Sequence, residues 1–338
     1  MIKYSSFLLA GALLLSIPAF VGAKQPISVQ IKNKEIGFKN NPNRISTECL
    51  LAEAIPGRTT IVHYNSPVES FLAVNPQNAC QAVAVWQQDR ISNGGALDIG
   101  IAHTEDGGKS WSDSTIPFQN CNGGFTARSS DVWVSHSADG KKVYIGTLHV
   151  NAVRDPNTQN QAGITVTFSE DNGKNWSNPH FVIAATTPLA EAVVIDKPSI
   201  TADPVVADNV YMTWDSFISP ISGHSDTWFA RTTNGGLSWE DSRLIYNPFL
   251  DPGLKTNDIP EQNQTINNIV VGLPNGDLLC FTNRLYAPPG TTEEQWNNDV
   301  FPFQFLTSDI ACIRSTDKGV TWSQTATQIA VGDANNDF

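Results

Sequence analysis

Four copies of one eight-residue phrase constrain this chain more than any other feature. Thr104-Glu-Asp106-Gly-Gly108-Lys-Ser110-Trp111 returns as Ser169-Glu-Asp171-Asn-Gly173-Lys-Asn175-Trp176, as Thr232-Thr-Asn234-Gly-Gly236-Leu-Ser238-Trp239 and as Ser315-Thr-Asp317-Lys-Gly319-Val-Thr321-Trp322. An Asp or Asn side chain accepts hydrogen bonds from the backbone N–H groups of its own turn. Glycine two residues later supplies a left-handed position. The Trp then returns to an apolar layer and anchors the hairpin. One such phrase would be a chance event, whereas four are an internal repeat.

A second repeat surrounds the first. Short β-branched runs precede each phrase, at Phe71 to Val74, Val132 to Val134, Ser199 to Thr201 and Asn268 to Val271. Turn residues follow, and then a second set at Ala82 to Trp86, Val143 to Ile145, Val210 to Trp214 and Leu278 to Phe281. A third run leads into the phrase, as at Asp98 to Ala102 and Gly163 to Phe168, and the Trp opens a fourth. Turn-bounded runs of this length are strands. Each unit is therefore a four-stranded antiparallel meander, the blade of an all-β propeller. The units are expected at about 66–125, 128–190, 196–250 and 264–332. No segment after the first 23 residues has helical periodicity.

The N-terminus sets the compartment. Lys3, an apolar stretch from Phe7 to Val21 and the small residues Val21-Gly22-Ala23 before Lys24 form a secretory signal peptide over 1–23. The protein is expected to be secreted or periplasmic. Residues 24–65 form an N-terminal segment with enough strand character for a partial blade, and 66–338 form the propeller. No later stretch is apolar for long enough to span a membrane. The chain holds 33 acidic against 21 basic residues, a net charge of −12. That balance argues against nucleic acid, whose phosphates need a basic surface.

Five cysteines, Cys49, Cys80, Cys121, Cys280 and Cys312, leave at least one unpaired. Cys280 and Cys312 fall on expected neighbouring strands, where a disulfide and buried thiols both stay open. The histidines lack metal-ligand spacing, and no Walker, dinucleotide or G-x-S-x-G phrase is present, so no metal or cofactor is expected. Asp333-Ala-Asn335-Asn-Asp337 begins like a calcium loop without its turn glycine.

The repeated phrase S/T-x-D-x-G-x-S/T-W resembles the Asp-box, or bacterial neuraminidase repeat, of the sialidase-like propellers. Ala73-Val-Asn-Pro76, Val85-Trp-Gln-Gln-Asp-Arg90 and Tyr211-Met-Thr-Trp-Asp215 look like its secreted bacterial branch. The resemblance implies structural roles on the rim for Asp106, Trp111, Asp171, Trp176, Asn234, Trp239, Asp317 and Trp322. It also implies a glycan ligand at the central axis, and an exo-sialidase, a glycoside hydrolase, if the protein is active. A non-catalytic glycan- or protein-binding propeller is the alternative, because other Asp-box propellers do not hydrolyse sialosides. The family closes six blades where four complete units are visible here. Three arrangements stay open: a truncated version of a longer propeller, a five-bladed ring using the N-terminal segment and the 240–264 insert, or two chains completing one another.

Strand polarity places the ligand face at the starts of inner strands and the ends of second strands. Glu69, Asp131, Asp196, Lys197 and Asp215 are the ligand-binding candidates there. Sialidase chemistry asks for arginines on the sugar carboxylate, a Tyr nucleophile with a Glu, and an Asp acid/base group. Arg90, Arg128 and Arg284, Asp89 and Tyr286 are the catalytic candidates, and Arg44-Ile45 resembles the family's Arg-Ile-Pro start without its proline.

Overall fold

The structure, a computed structural model, describes residues 61–63, 66–92, 94–114, 116, 126–151, 162–184, 194–217, 225–256, 263–287, 289–290 and 307–331. The chain divides into a unit of residues 1–41 and one of 42–338, and the described residues all belong to the second. The signal peptide, Arg44, Cys49, Cys121 and the Asp333–Asp337 phrase lie outside them.

Among the described residues the secondary structure is strand throughout, apart from one 3-10 turn at Pro248–Leu250 capped by the Asn247 side chain. Four antiparallel meanders follow one another. Blade I holds β2 (Val68–Val74), β3 (Ala82–Ile91), β4 (Ala96–Thr104) and β5 (Ser112–Ser114), with the short β1 (Val62–His63) paired to the end of β3. Blade II holds β6 (Thr126–His136), β7 (Val143–Asn151), β8 (Ala162–Ser169) and β9 (His180–Ala184). Blade III holds β10 (Val194–Ala202), β11 (Val210–Phe217), β12 (Ser225–Thr232) and β13 (Arg243–Tyr246). Blade IV holds β14 (Asn263–Gly272), β15 (Leu278–Tyr286), β16 (Thr307–Ser315) and β17 (Thr327–Val331).

The blades stack face to face. The inner strands β2, β6, β10 and β14 lie each against the next. Alternating residues of each strand then feed the layers on either side. Val83, Val85 and Ile101 of blade I meet Val132, Val134 and Ile145 of blade II. Tyr144, Ile164 and Val166 meet Ile200, Met212 and Trp214 of blade III. Tyr211 and Phe229 meet Val270, Leu278, Cys280 and Ile313 of blade IV. Each fully buried aliphatic or aromatic side chain in these layers contributes about 1.5–3 kcal/mol.

The repeated turns join blade to blade as well as strand to strand. Within a turn, Ser169 Oγ donates to Asp171 Oδ1 and accepts from the Gly173 N–H, while Asp171 accepts from the Asn175 N–H. The turn also docks on the preceding blade. Asn172 donates to the Thr104 carbonyl, Trp176 donates to Ser114 Oγ, and Trp322 stands edge-on to Phe229 at 5.4 Å between ring centres. Gly319 lies so close to Phe229 that an added methyl would come within 2.6 Å of the ring.

Cys280 and Cys312 are both free thiols. They lie on paired strands, but Cys280 pairs with Ile313 while Phe281 pairs with Cys312. Neighbours one step apart in register point to opposite faces of a sheet, which removes the disulfide geometry.

Candidate functional site

Each inner strand carries the same irregularity. Two residues of the inner strand face one of the second strand: Glu69-Ser70 against Trp86, Asp131-Val132 against Thr147, Lys197-Pro198 against Trp214, and Asn267-Asn268 against Thr282. The first residue of each bulge has a left-handed backbone, with φ of 52° at Glu69, 45° at Asp131, 47° at Lys197 and 60° at Asn267. A non-glycine residue held there costs about 1–3 kcal/mol. Because the inner strands neighbour one another and each bulge sits near the start of its strand, the four bulges stand at the same end of successive blades. The Asp-box turns lie at the opposite ends of the sheets, beside the inner hairpins, as the Gly107 N–H to Cys80 carbonyl bond shows.

The bulges bring charged side chains together. Lys197 Nζ lies 2.8 Å from Asp131 Oδ1, and Ser130 Oγ donates to Asp131 Oδ2 at 2.6 Å. Burial works against the Lys197 ammonium, yet its bond to Asp131 and the charges of Asp131, Asp196 and Glu69 raise its pKa. Burial raises the Asp196 carboxyl, helped by Asp131 and opposed by Lys197. Gln87 Nε2 donates to Glu69 Oε2 at 2.5 Å, and Gln87 Oε1 accepts from Arg90 at 2.9 Å. Asp215 lies behind the last bulge, accepting from the Asn267 N–H, the Asn268 amide and the Thr265 hydroxyl. Its burial lifts the carboxyl well above the usual range.

A second group adjoins this one at the end of blade I. Arg90 donates to the Gly95 carbonyl and Arg128 to the Gly94 carbonyl, so both guanidinium groups grip the β3–β4 turn. Burial and the charge of Arg90 lower the Arg128 pKa. Asp89 has a left-handed backbone at φ 61° and accepts from Gln88 Nε2. Asp98, paired across from Gln88, feels the Asp89 charge. Burial, with Asp89 adding to it, pushes the Asp98 carboxyl up to about 8. A carboxyl that holds its proton toward neutral pH is a group acid catalysis uses.

Arg284 and Tyr286 belong to an ion-pair cluster between blades III and IV, Arg284 standing across from Thr265. Arg284 is buried, its guanidinium bonded to both oxygens of Asp309 at 2.7 and 2.6 Å, to Asp251 and to the Tyr246 hydroxyl. Tyr286 donates to Asp309. Thus Glu69, Asp131, Asp196 and Lys197 form one group with Asp215 behind it. Arg90, Arg128 and Asp89 adjoin that group, and Arg284 with Tyr286 forms a separate ion-pair cluster. Gln87, Asp98, Asn267 and Asn268 escape the sequence reading. Their one signal is a polar residue inside an apolar strand run. A cavity of about 710 Å³ lies at the rim, lined by Lys141, Lys174, Asp171, Asn172 and Asp208 among others. Among the described residues no three His, Cys, Asp or Glu side chains are grouped as a metal site requires.

No protein-family model and no curated protein matches the chain. Solved structures do. A protein of unknown function from Dyadobacter fermentans DSM 18053 aligns over 81% of this chain and 74% of its own, at 13% identity and a TM-score of 0.51. An α-L-arabinanase from Penicillium chrysogenum complexed with arabinobiose aligns over 81% and 72%, at 11% identity and a TM-score of 0.49. A Trypanosoma rangeli sialidase in complex with the inhibitor DANA aligns over 77% of this chain and 38% of its own, at 15% identity and a TM-score of 0.43. At 13% identity the Dyadobacter likeness speaks to architecture alone, and the four stacked meanders are the blades of an all-β propeller.

Proposed function

We propose that the protein is a secreted glycan-handling propeller whose ligand sits at the axial bulges. One observation carries the reading. Polar side chains from the inner strands of successive blades, Glu69, Asp131 and Lys197, meet at one place on strained backbone, with Asp196 beside them. Strain of that kind persists only where the surroundings enforce it, and it clusters at ligand sites. Carboxylates, an ammonium and amides in one group suit a ligand rich in hydroxyls, which both donate and accept.

In the hydrolytic form of this reading Asp89, beside Arg90 and Arg128, is the acid/base group, and Asp98, whose carboxyl is raised by burial, adjoins it. The exo-sialidase form would use Arg90 and Arg128 on the sugar carboxylate, without Arg284. A second reading, binding without turnover, is favoured by Tyr286, which is buried and donates to Asp309. Incubation with fluorogenic sialosides and neutral exo-glycosides from pH of about 4 to 8 brackets the titration of an acid/base carboxyl. Release of the fluorophore supports hydrolysis, and retention on a glycan array without release supports binding. Neither release nor retention ends the glycan reading.

A further inference from the structure

We infer that the axial site takes an uncharged sugar rather than an acidic one, an inference that rests on the glycan reading and narrows it. The charges at the bulges are out of balance. The group formed by the bulges holds Glu69, Asp131 and Asp196 against one cation, Lys197. That cation is already committed to Asp131 at 2.8 Å. The arginines that a carboxylated sugar requires are anchored outside the bulges. Arg90 bonds to Gln87 and Gly95, Arg128 to Gly94, and Arg284 lies buried between Asp309 and Asp251. An acidic sugar at the bulges would meet these carboxylates at close range, with Lys197 already paired and Arg90 and Arg128 anchored on the β3–β4 turn at the end of blade I. The whole-chain charge of −12 adds to the repulsion. An uncharged sugar meets no such barrier. Its hydroxyls donate to Glu69 and Asp131 in charge-assisted bonds and accept from Lys197.

The test is a glycan array on which neutral oligosaccharides and sialylated or uronate-bearing ones are printed side by side. It is probed with the full chain and with Glu69→Lys. Lysine already occupies the equivalent left-handed position at 197, so the replacement suits the backbone. The parent is expected to retain neutral glycans at least about tenfold more strongly than acidic ones, and Glu69→Lys to narrow or reverse that ratio. Preferential retention of acidic glycans by the parent overturns the inference and leaves the glycan reading standing. Retention of no glycan by folded parent protein overturns both. An unchanged ratio in Glu69→Lys, with neutral glycans still preferred, removes the bulges as the origin of the preference and overturns the inference.

Discussion

The hydroxyl that opens each Asp-box holds its turn together more than the carboxylate that names it. Ser169 Oγ is buried and serves the Asp171 N–H, the Gly173 N–H and the Asp171 carboxylate at once. Ser169→Ala leaves these groups short of a partner and is expected to cost about 1–3 kcal/mol, read as a lower urea midpoint. Asp171→Asn should cost under about 0.5 kcal/mol, because Asn234 does the same work in the third box, accepting from Thr232 Oγ1 and the Ser238 N–H. Asp106, Asp139, Asp171 and Asp317 are held near a pKa of about 2 by hydrogen bonds from their own turns. Their folded pKa lies below the unfolded one, so their stabilisation is present above about pH 4 and is lost as pH falls toward 2. Asp98 has the opposite sign. Raised to about 8, it favours the folded state fully below its unfolded pKa and loses that contribution as pH rises through 8. Asp98→Asn is therefore expected to raise the Tm at pH 8 and to raise it much less at pH 4, by differential scanning fluorimetry. An equal effect at both would contradict the assignment. At this scale Glu69, Asp131, Asp196, Lys197 and Asp215 stand out in the sequence as polar residues at strand ends. Gln87 does not, because it lies inside an apolar strand run, and Asn267 does not, because backbone sign at a bulge leaves no mark in an otherwise regular strand.

Strands and turns were legible from alternation and from glycine, but what the turns dock against was not. The sequence shows Gly319 and Gly108 as the same residue of the same repeat. Both have a left-handed backbone, at φ 84° and 83°. Gly319 is packed against Phe229 of the preceding blade, whereas the nearest group to Gly108 is its own Trp111 at 3.7 Å. Alanine strains the backbone equally at both, so the difference between Gly319→Ala and Gly108→Ala isolates blade-to-blade docking. It is expected at about 1–3 kcal/mol in equilibrium unfolding. Equal costs would mean that the turns serve their own hairpins alone, as the sequence by itself suggests. The Trp at the end of the box follows the same logic: read in sequence as a hairpin anchor, it reaches the neighbouring blade at Trp176 and Trp322.

Across the described blades, three apolar layers separate four sheets, and the far side of blade IV is left partly open. Val271 and Ile310 are 40% and 43% exposed there, while Val270, one residue away on the other side of β14, is 2% exposed. Ile310→Asp should leave the unfolding midpoint nearly unchanged, within about 0.5 kcal/mol. Val270→Asp should unfold the protein, because it buries an unpaired charge between blades III and IV. The number and order of blades were readable from the repeat. The groups that cover their outer faces are not encoded in any single unit, and neither is the sinking of Arg284 into an ion-pair cluster, which depends on Asp251 from the connection before blade IV.

The central claim is that recognition belongs to the axial bulges and not to the Asp-box rim. Glycan-array binding of Lys197→Met, which removes the cation shared by the bulges, set beside Lys141→Met, which alters the rim cavity, separates the two ends of the sheets. With both variants folded, the account predicts that Lys197→Met loses the retained glycans while Lys141→Met keeps the parent profile. Loss in Lys141→Met with an unchanged Lys197→Met would contradict it.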